Sequence, residues 1–296
     1  MTAITAEQQP DLREPKGWRR SKNRIMTTLM VTSFVVVLIP LGFVLFTVIA
    51  KGASAISWSF LTSSIPPSVA PVGVGGIGPA IVGTIEITAV ATVIAVPLGI
   101  LGAVYLNEYG GRNPLAAFIG FMSDVMTGVP SIIMGLFIFT IWTLHFGLSG
   151  FGGALALACL MLPIVIRSSY EILRLVPNSL REGSYALGAS KARVTVTVVL
   201  PAAVGGIVSG ALLAVARAAG ETAPLLFTIG AAHTVNTNVF SGANIALPSL
   251  IFTNASSPYA GAEALGWGAA LTLIAICFIL MIVARLVTAR FARYTH

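Results

Sequence analysis

The chain has 296 residues, of which 56% are hydrophobic and only 9% charged, and its mean hydropathy is +0.92. A soluble domain carries roughly a quarter charged residues, so this composition excludes a soluble globular protein and places most of the chain in lipid. The net charge of +7 is no nucleic-acid footprint: six of the seventeen basic residues precede residue 25 and none is gathered around stacking aromatics, so it reads as membrane topology.

In chain order, a basic tail over residues 1–26 leads into the first apolar run. Residues 25–50 hold no charge over 26 positions. That is longer than the apolar stretch of a signal peptide and ends without a small-x-small cleavage site, so a retained span is predicted over residues 27–50. A Pro-, Ser- and Gly-rich connection over residues 51–79 precedes a second span over about 80–106. Gly73-Val-Gly75-Gly-Ile-Gly78 fits Gly-x-Gly-x-x-Gly, but no strand precedes it, so it reads as a flexible approach to the second span rather than a dinucleotide site. Glu86, near the outer end of that span, either joins a polar path through the spans or snorkels toward water, and snorkelling is the expectation. The 42 uncharged residues between Asp124 and Arg167 accommodate a third and a fourth span, split at the glycine-rich residues 145–153, since a crossing takes about 20 residues.

Residues 167–202 are far more polar than their surroundings. Pro177 and Asn178 stop the preceding helix, and Ser179 and Glu182 have the Ser-x-x-Glu spacing of a capping box, in which the hydroxyl accepts an orphan amide and the carboxylate reaches back to the cap. A short helix follows, interrupted at Gly188 because glycine readily takes positive φ. A second helix over residues 189–199 is expected to end at Pro201, which gives an angled pair of short helices. A fifth span is predicted over residues 205–230, with Gly206 and Gly210 as packing positions. Arg217 falls near the middle of that run and Glu221 one turn later on the same face, with Gly220 and Thr222 expected to keep the backbone close and add a hydroxyl. A charge at mid-membrane costs about 2.5 to 3.5 kcal/mol on insertion scales, so the pair must face protein or a water-filled path. An Asn-, Ser- and Gly-rich connection over residues 231–263 and a sixth span over residues 266–288 complete the chain.

With the N-terminus placed inside, the inner side receives Arg13, Lys16, Arg19, Arg20, Lys22, Arg24, Arg112, Arg167, Arg174, Arg181, Lys191, Arg193, Arg285, Arg290 and Arg293. Only Lys51 falls outside and only Arg217 within a span, so the positive-inside rule puts both termini in the cytoplasm and the polar segment on the cytoplasmic face.

Glu182-Gly-Ser-x3-Gly188-x9-Val198-Val-Leu200-Pro201 resembles the EAA signature of the membrane subunits of bacterial ABC importers, Glu-Ala-Ala-x3-Gly-x9-Ile-x-Leu-Pro. The spacing matches throughout; Gly183, Ser184 and Val198 are the departures. The resemblance implies that residues of about 177–201, with Glu182, Gly183, Ser184 and Gly188 among them, dock on a separate ATPase. Arg217-x-x-Gly220-Glu221-Thr222-Ala-Pro224 is similar to the phosphate-specific permeases of the PstA type. That similarity extends through Gly76-Ile-Gly-Pro-Ala-Ile-Val-Gly-Thr84, Val129-Pro-Ser-Ile-Ile-Met-Gly-Leu136 and Leu162-Pro-Ile-Val-Ile-Arg167, covering about residues 76–286. The family implies an all-α integral membrane protein of six spans with the type I ABC importer permease (MetI-like) fold, one permease domain over residues 27–296. It also implies Arg217, Glu221 and Thr222 on the translocation path and a location in the bacterial inner membrane. The implied partners are a homologous PstC-type permease, a PstB-type ATPase dimer that carries the ATP and Mg, and an extracytoplasmic PstS-type phosphate-binding protein.

The chemistry of the pair agrees with that substrate. Arg217 offers a forked donor set to an oxyanion. Sulfate is fully ionised and presents acceptors only, so a carboxylate beside it repels, whereas phosphate near neutrality keeps a hydroxyl that can donate a hydrogen bond to Glu221. The rival readings are a permease for sulfate or molybdate, a transporter driven by an ion gradient, an intramembrane enzyme, and an Arg-Glu pair that only fixes packing. The gradient-driven class calls for more ionisable groups within the spans, and the enzyme class for a nucleophile and base that the sequence does not bring together. Residues 183–190 approach a P-loop, but Ala189 stands where the phosphate-binding lysine belongs. His145, His233 and His296 lack metal-ligand spacing, and Cys159 and Cys277 lie apart within apolar runs.

Overall fold

A computed structural model describes residues 17–111 and 113–292; Arg13, Lys16, Arg112, Arg293, His296 and the first sixteen residues of the expected tail lie outside the described residues. Every regular element among the described residues is helical. The chain divides into two units at Ile49. The first is most of one helix, α1 (Gly17–Gly52), which begins ahead of the predicted span and holds Pro40 in its interior. Its large apolar side chains from Ile25 to Phe46 are exposed, as suits a helix in lipid.

The second unit opens with a short helix α2 (Trp58–Thr62), whose Ser57 cap accepts the Phe60 amide, and then α3 (Gly78–Val104), which carries Pro79 in its first turn. The glycine-rich lead-in is an ordered turn rather than a flexible approach. Gly73 and Gly75 take positive φ, the Gly76 and Ile77 amides donate to Ser64 O and Phe60 O, and a side chain at Gly78 would stand 2.7 Å from Thr62 O. Beyond Val104 the ladder widens into a π turn, Tyr105–Tyr109.

The third predicted span is bent. α4 (Pro114–Gly128) and the run of α5 (Ser131–Ile138), a second π turn (Phe139–Thr143) and α6 (Leu144–Phe146) meet at 109°. Pro130 is the reason: it lacks an amide and forces Val129 into extended backbone, ψ 127°. Among the described residues five helices are long and apolar enough to cross a membrane, and the bent pair makes a sixth crossing if its two arms form one span. α7 (Gly150–Arg174), capped by Ser149, lies against α3 and carries the core. Ala91, Ala95 and Ala103 of α3 are fully buried, and a side chain at Gly99 would reach within 2.7 Å of Val165 on α7. Small residues at this contact let the backbones approach, which is what binds helices together where no hydrophobic effect distinguishes protein from lipid.

α8 (Asn178–Ala186) and α9 (Lys191–Val194) follow, then a third π turn (Thr195–Val199), α10 (Leu200–Ala219), α11 (Leu225–Thr228), α12 (Leu247–Ala255) and α13 (Ala260–Ala292). Two expectations are corrected here. The Ser179 capping box does not form, because α8 begins at Asn178 with Pro177 at the cap and Ser179 already inside the first turn. Nor does the second short helix stop at Pro201. The π turn before that proline absorbs its missing amide, and Lys191–Ala219 continues as one span. Gly206 and Gly210 do pack, against Ile172 and Ser168 of α7.

Candidate functional site

α10 ends at Ala219, and the Gly220 amide closes it by donating to Arg217 O at 3.1 Å. Arg217 therefore sits in the last turn, not at mid-helix as the apolar run suggested, and Glu221 lies just past the helix. The run continues to Gly230, but Pro224 and the short α11 interrupt it. A cation in the last turn of a helix is favoured by the unpaired carbonyls there, so the fold offsets part of the cost of holding it.

The two side chains do meet. Arg217 Nε stands 3.6 Å from Glu221 Oε1, with the arginine side chain 71% exposed and the carboxylate 19%. One carboxylate face is occupied, and the guanidinium keeps its other N–H donors free for an anion. Glu221 N donates to Ala218 O, and Thr222 O accepts from the Leu225 and Leu226 amides, so the chain turns back sharply. Gly220 does not serve close packing: a side chain there would meet nothing nearer than Arg217 O at 3.6 Å. Its bareness leaves the space beside the pair open. Behind the pair, Pro224 presses on Gly135 of α5 and accepts the Thr228 hydroxyl at 3.0 Å, which fixes the turn to the bent span.

At the far end of α10 the polar segment is presented outward. Glu182, Gly183 and Gly188 are exposed, and no atom lies within 4 Å of a side chain built at either glycine. Gly188 has φ +79°, and the Ala189 amide donates to Ser184 O at 3.2 Å, so α8 turns into α9 through a left-handed glycine. Ser184 spends its hydroxyl on Leu180 O, and Ser190 caps α9 by accepting the Arg193 amide. Leu187 is 89% exposed at the apex. The elements bring Glu182, Gly183, Ser184 and Gly188 together on one projecting corner and keep them on a different part of the chain from Arg217, Glu221 and Thr222.

Sequence reasoning missed two groups. Arg181, one residue before the EAA-like glutamate, forms a largely buried ion pair with Glu108 of the first π turn, at 2.9 Å; 73 positions separate them, and no local pattern joins them. Arg167 pairs with Asp124 at 2.9 Å and with Glu171 at 3.6 Å. Arg167 and Asp124, with Tyr170 and Ser123, line a cavity of about 440 Å³ between α4 and α7. Glu86 departs from expectation: it is half-buried, and its Oε2 is enclosed without a hydrogen-bond partner among the described residues, so that oxygen does not snorkel.

Residues 95–293 match the family model for the binding-protein-dependent transport system inner membrane component. The chain is 48% identical over 262 residues to the phosphate transport system permease protein PstA 1 of Mycobacterium tuberculosis, covering 87% of this chain and 84% of that relative. It is 42% identical over 283 residues to the phosphate transport system permease protein PstA of Yersinia pestis, with 94% of both covered. Among solved structures it superposes on a chain of a bacterial alginate ABC transporter with TM-score 0.64 at 12% identity, over 93% of this chain and 98% of that one. It also superposes on a chain of the MetNI methionine ABC transporter with TM-score 0.55 at 19% identity, over 75% and 94%.

Proposed function

The chain belongs to the binding-protein-dependent transport system inner membrane components, and on that premise we propose that it is the permease subunit of an ATP-driven importer of inorganic phosphate. It is a multi-pass protein of the cytoplasmic membrane. The observation that carries the substrate reading is the Arg217–Glu221 pair, half open, on a chain 48% identical to a phosphate permease. Arg217 supplies donors to the phosphate oxygens. Glu221 accepts a hydrogen bond from the hydroxyl that phosphate retains and limits how tightly the anion is held, so that it can leave. Thr222, next in the chain, adds a hydroxyl to the same turn.

The exposed face of Arg217 is turned to a path shared with a second, homologous permease of the PstC type. The projecting corner around Glu182, Gly183, Ser184 and Gly188 enters a cleft of a PstB-type ATPase dimer, where ATP and Mg are held, and a PstS-type binding protein delivers phosphate on the opposite face. The placing of both termini in the cytoplasm rests on the basic residues that flank the spans. This chain performs no bond-breaking itself; its work is to bind phosphate weakly and to change which side the pair faces.

The direct test is ATP-dependent phosphate uptake by the complex in liposomes with Arg217→Gln or Glu221→Gln. Removing one charged partner of a charge-assisted contact is expected to lower uptake about tenfold to a hundredfold. Undiminished uptake by both variants would remove the path assignment.

A further inference from the structure

The corner that projects from α8 and α9 meets span two through an apolar contact, in which Ala189 and Val194 pack with Ala103 and Val104, and through polar contacts at the π turn Tyr105–Tyr109. Arg181 of α8 sends Nη2 to Glu108 Oε1 at 2.9 Å, with side-chain exposures of 13% and 5%. The same guanidinium donates to Leu173 O at 3.1 Å, to Val176 O, and to Asn178 Oδ1 at 3.3 Å. Asn107 adds its amide to Glu108 Oε1 at 2.7 Å. From α9, Lys191 places its ammonium 5.1 Å from the ring centroid of Tyr109. Both short helices therefore grip neighbouring residues of one turn, through a buried charge pair on one side and a cation–π contact on the other.

A buried, multiply bonded guanidinium has few alternative partners, so α8 cannot shift without moving Glu108 or leaving two charges unpaired out of water. The receiving element is a π turn, a local widening of the helix of the kind frequent at functional sites. We propose that Arg181 and Glu108 are positioning residues for coupled transport: they form the clasp through which displacement of the α8–α9 corner is passed into span two. The inference rests on the reading that this corner docks on an ATPase. The pair contacts neither substrate nor nucleotide, so its loss separates hydrolysis from movement rather than stopping either chemistry directly.

The experiment uses the whole complex in liposomes with inorganic phosphate and ATP. A cysteine at Leu101, on an exposed face of α3 one turn before the π turn, reports span-two motion by its rate of thiol labelling with and without ATP. Phosphate uptake per ATP hydrolysed is read in the same preparation. Glu108→Gln keeps the volume and removes the charge; Arg181→Lys keeps the charge and loses the fork. With the clasp intact, ATP changes the labelling rate. Glu108→Gln is expected to abolish that change and to lower phosphate moved per ATP about tenfold, with Arg181→Lys intermediate. A role in folding alone lowers the amount of assembled complex but leaves the ATP-driven labelling change per complex intact, and that result overturns the proposal. No ATP-driven change at Leu101 in the unaltered complex overturns it as well. Failure of the unaltered complex to import phosphate counts instead against the permease reading, since the labelling readout does not depend on phosphate.

Discussion

Arg217 is held by a single carboxylate contact at 3.6 Å, which is long for a charge-assisted bond and leaves most of the guanidinium uncommitted. That looseness suits the proposed exchange of one anionic partner for another. Lysine in its place would keep the charge but lose the planar fork. Arg217→Lys is therefore expected to retain measurable uptake while raising the phosphate concentration for half-maximal transport, by about three- to tenfold. Uptake assays over a range of phosphate concentrations would show it, and an unchanged half-saturation point would argue that the fork makes no contact with the anion. Glu221→Gln bears on selectivity. Without the negative carboxylate, sulfate no longer meets a like charge, so competition of phosphate uptake by sulfate should increase relative to the unaltered chain; equal competition in both would remove Glu221 from the discrimination.

The turn between α8 and α9 depends on a left-handed residue. Gly188 has φ +79° and open space around it, so a side chain there meets no neighbour and its whole cost is backbone strain, about 1 kcal/mol for alanine and more for a β-branched residue. Gly188→Val is accordingly expected to leave the membrane-embedded helices intact and to loosen association with the ATPase, detectable as less ATPase co-purifying with normally inserted chain. Full co-purification would show that the corner's shape is not what the partner reads. The neighbouring π turn before Pro201 makes a second structural point. Proline inside a helix removes a backbone bond and crowds the preceding turn, yet the widened Thr195–Val199 ladder takes it up and α10 continues. An identical Pro signal at Val129-Pro130 gives instead a bend of 109°. The difference lies in the residue before the proline: Val129 is extended, ψ 127°, whereas Leu200 stays in helical backbone, ψ −46°.

Across the second unit, the packing of α3 on α7 is the contact on which the rest is assembled. Gly99 faces Val165 so closely that a side chain would stand 2.7 Å away. Gly99→Leu is expected to lower the midpoint of thermal unfolding in detergent by several degrees, consistent with an overpacking cost of about 1–3 kcal/mol. Gly42→Leu on α1, where no atom lies within 4 Å, serves as the control and should not. The proposed orientation has its own test. In a chain with Cys159 and Cys277 replaced, a cysteine at Leu187 should react with an impermeant thiol reagent only from the cytoplasm, and one at Ser241 only from the opposite side. Reversed labelling would invert the topology.

Much of this was written in the amino-acid order because lipid imposes a simple constraint: uncharged runs of sufficient length must be helices that cross, and basic residues collect on one side of them. Those rules predict the all-helical class and the number of crossings, and a spacing of four residues suffices to pair Arg217 with Glu221. The end of α10 was missed because residues 205–230 read as one apolar run, although Pro224 cannot donate to the carbonyl four residues back, at Gly220. The bend of the third span follows from the local Val129-Pro130 pair, whereas the enclosure of Glu86 Oε2 depends on tertiary packing. The Arg181–Glu108 clasp lay furthest from view. Its two charges are brought within 2.9 Å only when the end of α3 and the start of α8 converge beside the end of α7, and hydrogen bonding across such a sequence distance is a property of three-dimensional packing that local spacing does not encode.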